Sequence, residues 1–172
     1  VGSWSYPENA FFMIGTVPLF SGFMYAAVGS YIAQAWRILK LELENPPSYF
    51  WSGVLCVLIY VNFFTNHFIP DLRILLIPAV FLLFTHTNVK FVVTGTVRSM
   101  PLALGFCLTA FFIWIAENIG TYVGAWQYPN QVHAWNVVST QKVTSWFLMV
   151  IISFILVAYL KHYKKDVLGK SS

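Results

Sequence analysis

Glu117 is the residue that sits least comfortably in its surroundings. It stands in the string FFIWIAENIGTY, with apolar residues before it and a helix that stays apolar after it. A carboxyl withdrawn from water favours its neutral form, and a neutral carboxyl can deliver a proton to a substrate. Glu8, in SYPENAFF, is a second carboxyl at the start of an apolar segment. These two are the candidate catalytic acids. Groups able to orient a substrate gather at matching places in the chain: Asn62, Asn66, His67, Asp71 and Arg73, then Asn118, Trp126, Tyr128, Gln131 and Trp135. Asn62 and Asn66 are one helical turn apart and share a face. The rings of Trp126, Tyr128 and Trp135 can stabilise a developing cation through their faces.

Each group has a plainer role available. Asp71 and Arg73 can simply pair at an interface, Asn62 can bond a neighbouring helix, and His133 can be solvated in a loop. His86 and Lys90 fall near the opposite side, where a lysine can snorkel. A metal site drawn from Glu8, His67, Asp71, Glu117 and His133 lacks HExxH or comparable spacing. No metal and no cofactor is expected, and there is neither a phosphate-binding glycine loop nor a GxSxG elbow. Cys56 and Cys107, both inside apolar runs, read as packing residues.

The elements that must position these groups follow from composition. The 172 residues are 58% hydrophobic, 19% aromatic and 9% charged, against roughly 25% charged in soluble domains. Five apolar segments stand out, over residues 10–36, 49–65, 72–93, 102–122 and 143–162. Each approaches the roughly 20 residues that cross a bilayer. The third is the weakest, since it contains Pro78 and His86. The expected fold is all-α: a polytopic transmembrane helical bundle, one domain over 1–172, belonging to a longer protein. Val1 is not an initiator Met, and further spans are expected before it.

The ten Lys and Arg test this arrangement. With the C-terminus cytoplasmic, Arg37, Lys40, Lys90, Arg98, Lys161, Lys164, Lys165 and Lys170 fall inside, and only Arg73 and Lys142 outside. That is the bias of a multi-pass membrane protein. The net charge of +4 therefore records topology, and without a basic stripe or motif it does not point to nucleic acid. The same topology brings Glu8, His67 and Glu117 to the outer side, where they are expected to converge. Intramembrane ionisable groups are costly and are functional candidates.

Two patterns remain. Gly15, Gly22, Ala26, Gly29 and Ala33 line one face of the first segment, which suits close helix packing, either within the chain or against a membrane-protein partner. VGSWSYPEN at residues 1–9 is echoed by VGAWQYPNQ at 123–131, with Val, Gly, Trp, Tyr and Pro in register. This reads equally as an internal repeat or as an interfacial aromatic turn used twice.

The strings SYPENAFFMIGTVPLFSGFMYAAVGSYIAQAWR, NHFIPDLR, RSMPLALGF, FFIWIAENIGTYVGAWQYPNQ and SWFLMVIISFILVAYLKH together resemble the YoaT-like family of bacterial integral membrane proteins, a domain of unknown function. The resemblance runs along almost the whole chain. It implies the bacterial plasma membrane and membrane lipid as surroundings, and it carries over no activity. ENIGTYVGAWQY is also similar to the E…GT…G…Y pattern of membrane carotenoid hydratases, and PENAFF to the PxE-then-FF signature of small-subunit lycopene cyclases. Glu8 departs from the cyclase pattern by preceding Asn9 rather than a second acid. Three functions stay open: a membrane enzyme acting on a lipid or isoprenoid, a small-solute transporter or carrier, and a structural or assembly subunit.

Overall fold

The computed structural model describes residues 12–14, 17–18, 20–65 and 68–169. Two short strands, β1 (Met13–Ile14) and β2 (Val17–Pro18), pair antiparallel ahead of helix α1 (Phe20–Ile38). Strand β3 (Glu42–Glu44), helices α2 (Tyr49–Thr65) and α3 (Arg73–Leu83), and strands β4 (Asn88–Val93) and β5 (Thr96–Pro101) follow. Helix α4 (Leu102–Tyr122), a single 3-10 turn (Pro129–Gln131) and helix α5 (Gln141–Gly169) complete the order.

The last helix is the centre. α5 is apolar through most of its length and packs against α1, α2, α3 and α4. Its Phe147, Leu148, Ile151, Phe154 and Ile155 are buried. The surrounding helices each offer one inward stripe at helical spacing. On α4 the stripe is Leu102, Phe106, Ala110, Glu117 and Thr121, and on α2 it is Ser52, Leu55, Ile59 and Asn62. Polar side chains thus continue the buried stripes at one end of the bundle.

Contacts along the helices fix their directions. Tyr49, opening α2, meets Tyr159 near the end of the apolar part of α5, and the Tyr159 hydroxyl donates to the Tyr49 carbonyl. Phe106, early in α4, meets Phe154. Arg73, opening α3, reaches Ser145 near the start of α5. The chain therefore alternates between two ends. One holds the sheet, with the end of α1 and the start of α4. The other gathers the end of α2, the start of α3, the end of α4 and the start of α5.

The third apolar segment departs from expectation. It is helical only for the 11 residues of α3. Its second half turns through Thr85–Thr87 and becomes β4, the middle strand of an antiparallel sheet ordered β3–β4–β5. An all-α description therefore fails at this point. The reason is local. Thr87 gives its hydroxyl to the Asn45 carbonyl, and its own carbonyl accepts the Leu102 N–H, so the polar THTN stretch is tied to two other segments. Val89, Val92 and Val93 favour the pleated state, and Thr94–Gly95, both with positive φ, form the tight turn that joins twisted strands. The first expected span, 10–36, likewise differs: α1 begins at Phe20. The Cys56 and Cys107 thiols are free and half-buried against the core.

Two helices, α4 and the Gln141–His162 part of α5, are long and apolar enough to cross a membrane. Outward faces are apolar too: Phe64 on α2, Ile74 and Leu82 on α3, Phe112 on α4 and Leu160 on α5 are exposed. This division gives a direct contrast. Leu148 is 0% exposed and Leu82 78%. Leu148→Ala should cost about 2–5 kcal/mol through the cavity it leaves and lower the melting temperature of the detergent-solubilised protein by several degrees. Leu82→Ala should leave it unchanged, and equal losses would contradict this core.

Candidate functional site

The polar end contains two hydrogen-bonded clusters. The first joins α2, α3 and α5. The Asn62 side chain, 2% exposed, accepts the Leu72 N–H at 2.9 Å and donates to Asp71 Oδ1 at 3.2 Å. Asp71 Oδ1 also accepts the Arg73 N–H at 3.0 Å, and Oδ2 accepts from Arg73 Nε at 2.5 Å. Arg73 Nη1 then crosses to α5, donating to Ser145 Oγ at 2.7 Å and lying 3.4 Å from both Thr144 Oγ1 and the Gln141 carbonyl. Burial pushes the Asp71 carboxyl up. The Arg73 N–H, the Asn62 amide and the Arg73 guanidinium together outweigh it and hold the group below its ordinary value.

The second cluster hangs the loop after α4 onto the last turns of that helix. Trp114, Glu117, Asn118 and Thr121 follow the i, i+3, i+4, i+7 spacing of one face. Asn118 Oδ1 accepts the Val138 N–H at 3.0 Å while Trp114 Nε1 donates to the Val138 carbonyl at 2.9 Å, so α4 holds both backbone groups of Val138. The Thr121 hydroxyl donates back to the Glu117 carbonyl at 2.9 Å and accepts from Gln131 Nε2 at 3.3 Å and Trp135 Nε1 at 3.2 Å. That exhausts one donor and two lone pairs. Gln131, 4% exposed, also donates to the Asn136 carbonyl and accepts the Tyr128 N–H.

Glu117 is the exception. It is 6% exposed on the inward stripe of α4. The Tyr128 hydroxyl donates to its Oε1 at 2.5 Å, whereas Oε2 is buried without a hydrogen-bond partner among the described residues. Lys142 completes the surroundings. Its ammonium lies 4.6 Å from the centre of the Tyr128 ring and within electrostatic reach of both Glu117 and Arg73. Lys142 therefore stands between the two clusters.

Of the residues expected to line a site, the structure brings together Asn62, Asp71 and Arg73 in one cluster, and Glu117, Asn118, Tyr128, Gln131 and Trp135 in the other. Trp126 supports the second by packing on α4: a Cβ on Gly120 would meet its ring at 2.5 Å. His133 is exposed. Glu8, Asn66 and His67 lie outside the described residues, and so does their expected convergence with Glu117. Thr121, Trp114, Asn136, Thr144 and Ser145 were not anticipated. The first two were detectable as members of the polar stripe through Glu117. The α5 pair became visible only through the fold. Among the described residues no group of His, Cys, Asp and Glu is arranged to hold a metal ion.

The sign of the Asp71 effect predicts an acid limb of stability. A carboxyl held below its ordinary value in the folded state stabilises the protein above about pH 4 and loses that contribution as the pH falls through its folded-state value. Asp71→Asn should flatten this part of the melting-temperature profile in detergent. An acid limb identical in both proteins would contradict the assignment.

Comparison with known proteins bears on the whole chain. The uncharacterized protein YoaT of Bacillus subtilis (strain 168) is 54% identical over 166 residues, an alignment covering 96% of this chain and 63% of that relative. The chain thus spans less than two thirds of the relative's length. No solved structure matches it. A family model described as Protein of unknown function (DUF817) matches residues 1–154. The chain belongs to the DUF817 family.

Proposed function

We propose that this chain is the five-crossing section of a bacterial plasma-membrane protein, and that its polar end is the site of an enzyme acting on a lipid or isoprenoid. The crossing reading is supported by the apolar outward faces and by the alternation of the helices between two ends. α3, at 11 residues, rises about 17 Å and needs the segment that follows it to complete the distance across a hydrocarbon core of about 30 Å. Charge supports the orientation. Arg37, Lys40, Lys90, Arg98 and Lys161 belong to the sheet end, Arg73 and Lys142 to the polar end. The sheet end is cytoplasmic on the positive-inside rule.

The observation that carries the enzymatic reading is the free Oε2 of Glu117. Among the described residues it is the buried side-chain nitrogen or oxygen that has no hydrogen-bond partner. Burial without a partner costs about 1–3 kcal/mol, and a ligand at this oxygen removes that cost. With Oε2 carrying a proton, Glu117 is the acid. Tyr128, by donating to Oε1, stabilises the carboxylate left after transfer, and the Lys142 charge acts in the same sense. Trp126 and Trp135 frame the loop side.

The Asp71 cluster favours a second reading, a structural or assembly role, because it spends its capacity internally. Transport finds less support: His86 is exposed at the sheet end, and Lys90 pairs with Glu44 at 2.7 Å, so neither continues a polar line inward.

Mass spectrometry of small molecules retained by the complete protein in mild detergent tests the proposal. A recurrent lipid or isoprenoid, reduced several-fold in Glu117→Gln, is expected. Retention of bulk phospholipid alone, unchanged by the substitution, would reject the enzyme in favour of the structural reading.

A further inference from the structure

Strand β5 is one outer edge of the three-stranded sheet, and no other described strand pairs with its far side. The Thr94–Gly95 turn closes on Val93 and Thr96, which form a hydrogen-bonded pair at the end of a two-residue turn. Pairs alternate from there along an antiparallel ladder. The backbone groups of Thr96, Arg98 and Met100 therefore face β4, and those of Val97 and Ser99 turn outward. The other side of the hairpin keeps the same phase, since the Val92 N–H leaves β4 for the Leu39 carbonyl at 2.8 Å. Pro101, which has no N–H to give, also falls at an outward position. Among the described residues nothing bonds the outward N–H and C=O groups of Val97 and Ser99. The Val97 side chain is 63% exposed.

An open edge of this kind is a template for one more strand, and charge says which kind. Arg98 is exposed and takes no part in the ion pairs of the described residues. It disfavours a second copy. The antiparallel register that pairs every outward group of Val97 and Ser99 sets Arg98 directly opposite its own counterpart, where like charges repel. The other edge of the sheet shows the favoured chemistry. β3 reads Glu-Leu-Glu, with Glu42 across from Lys90 and Glu44 paired to the Lys90 ammonium at 2.7 Å. Both acids of β3 act on Lys90, Asp71 and Glu117 lie at the far end of the bundle, and Asp166 is inside α5. The described part of this chain thus leaves no extended acidic segment for β5. Arg37, Lys40 and Lys161 belong to the same end, so an acidic segment approaches a basic surface.

We infer that the outer edge of β5 docks an extended acidic segment of another protein, which adds antiparallel to the sheet as a further strand with a carboxylate opposite Arg98. Its backbone pairs with Val97 and Ser99, and an alternate side chain covers Val97. Main-chain pairing supplies the affinity and Arg98 the selectivity.

The test uses the complete protein in an uncharged detergent and a dye-labelled peptide of alternating Thr and Glu, followed by fluorescence anisotropy. The comparisons are a peptide of alternating Thr and Lys, and an N-methylated Thr–Glu peptide whose backbone donors are blocked. The Thr–Glu peptide should bind, and each comparison should bind about ten-fold more weakly or worse. Arg98→Gln should weaken the Thr–Glu peptide about three-fold. Val97→Pro removes an N–H that the sheet does not use. It should keep the melting temperature and weaken the peptide about five-fold or more, the scale of a lost backbone hydrogen bond. In hydrogen exchange the Val97 and Ser99 amides should be fast in the protein alone and slow with the peptide, while the Arg98 and Met100 amides stay protected in both. Either comparison peptide binding as well as the Thr–Glu peptide would overturn the inference, as would undiminished binding by Val97→Pro. Val97 and Ser99 amides already slow without peptide would overturn it too, because a second copy or the rest of the complete protein then covers the edge.

Discussion

A polar side chain turned toward an apolar interior must find its partner within the protein, and the polar end of this bundle is organised by that requirement. Glu117 and Asn62 lie on the inward stripes of α4 and α2, in line with Phe106 and Ile59. Asn62 is 2% exposed and Glu117 6%. Asn62 meets the requirement with Leu72 and Asp71. Glu117 meets half of it, through Tyr128. That bond joins those of Trp114, Asn118 and Thr121 in tying the loop to the helix. Gly120 admits Trp126, the positive φ of Gly124 turns the chain, and Pro129 starts the 3-10 turn that sets Gln131 under Tyr128.

This gives physical content to the VGAWQYPNQ string. Gly supplies the left-handed turn, Trp the packing surface, Tyr the hydrogen bond and Pro the first position of the turn. The matching string at residues 1–9 lies outside the described residues, so its partner group is not assigned.

Apolar run length made α2, α4 and α5 legible with close boundaries, because a continuous apolar run of that length has few alternatives. The third segment misled for an equally physical reason. Hydropathy does not distinguish an apolar helix from an apolar strand, and Val89, Phe91, Val92 and Val93 are apolar in either state. The β-branched residues and the Thr94–Gly95 turn were the signals available. At the site, Glu117 stood out by its neighbours and Tyr128 by its type. The contact between Lys142 and the Tyr128 ring could not be read from the chain, since it depends on how α5 is docked against α4. The pairing of Arg73 with Ser145 was hidden in the same way: 72 residues separate the partners.

The two clusters divide the work at this end. The Asp71 cluster locks three helices, and locking α5 sets where Lys142 stands. The Glu117 cluster locks the loop and leaves one buried oxygen without a hydrogen-bond partner among the described residues. On the proposal that Glu117 is an acid, such a surround holds the donor before the substrate arrives. The protonation state of Glu117 in the complete protein, in lipid at neutral pH, tests this most directly. Infrared difference spectra between the wild type and Glu117→Gln should contain the carbonyl stretch of a protonated carboxyl, and that band should move in Tyr128→Phe. A difference spectrum showing only carboxylate bands would contradict the account.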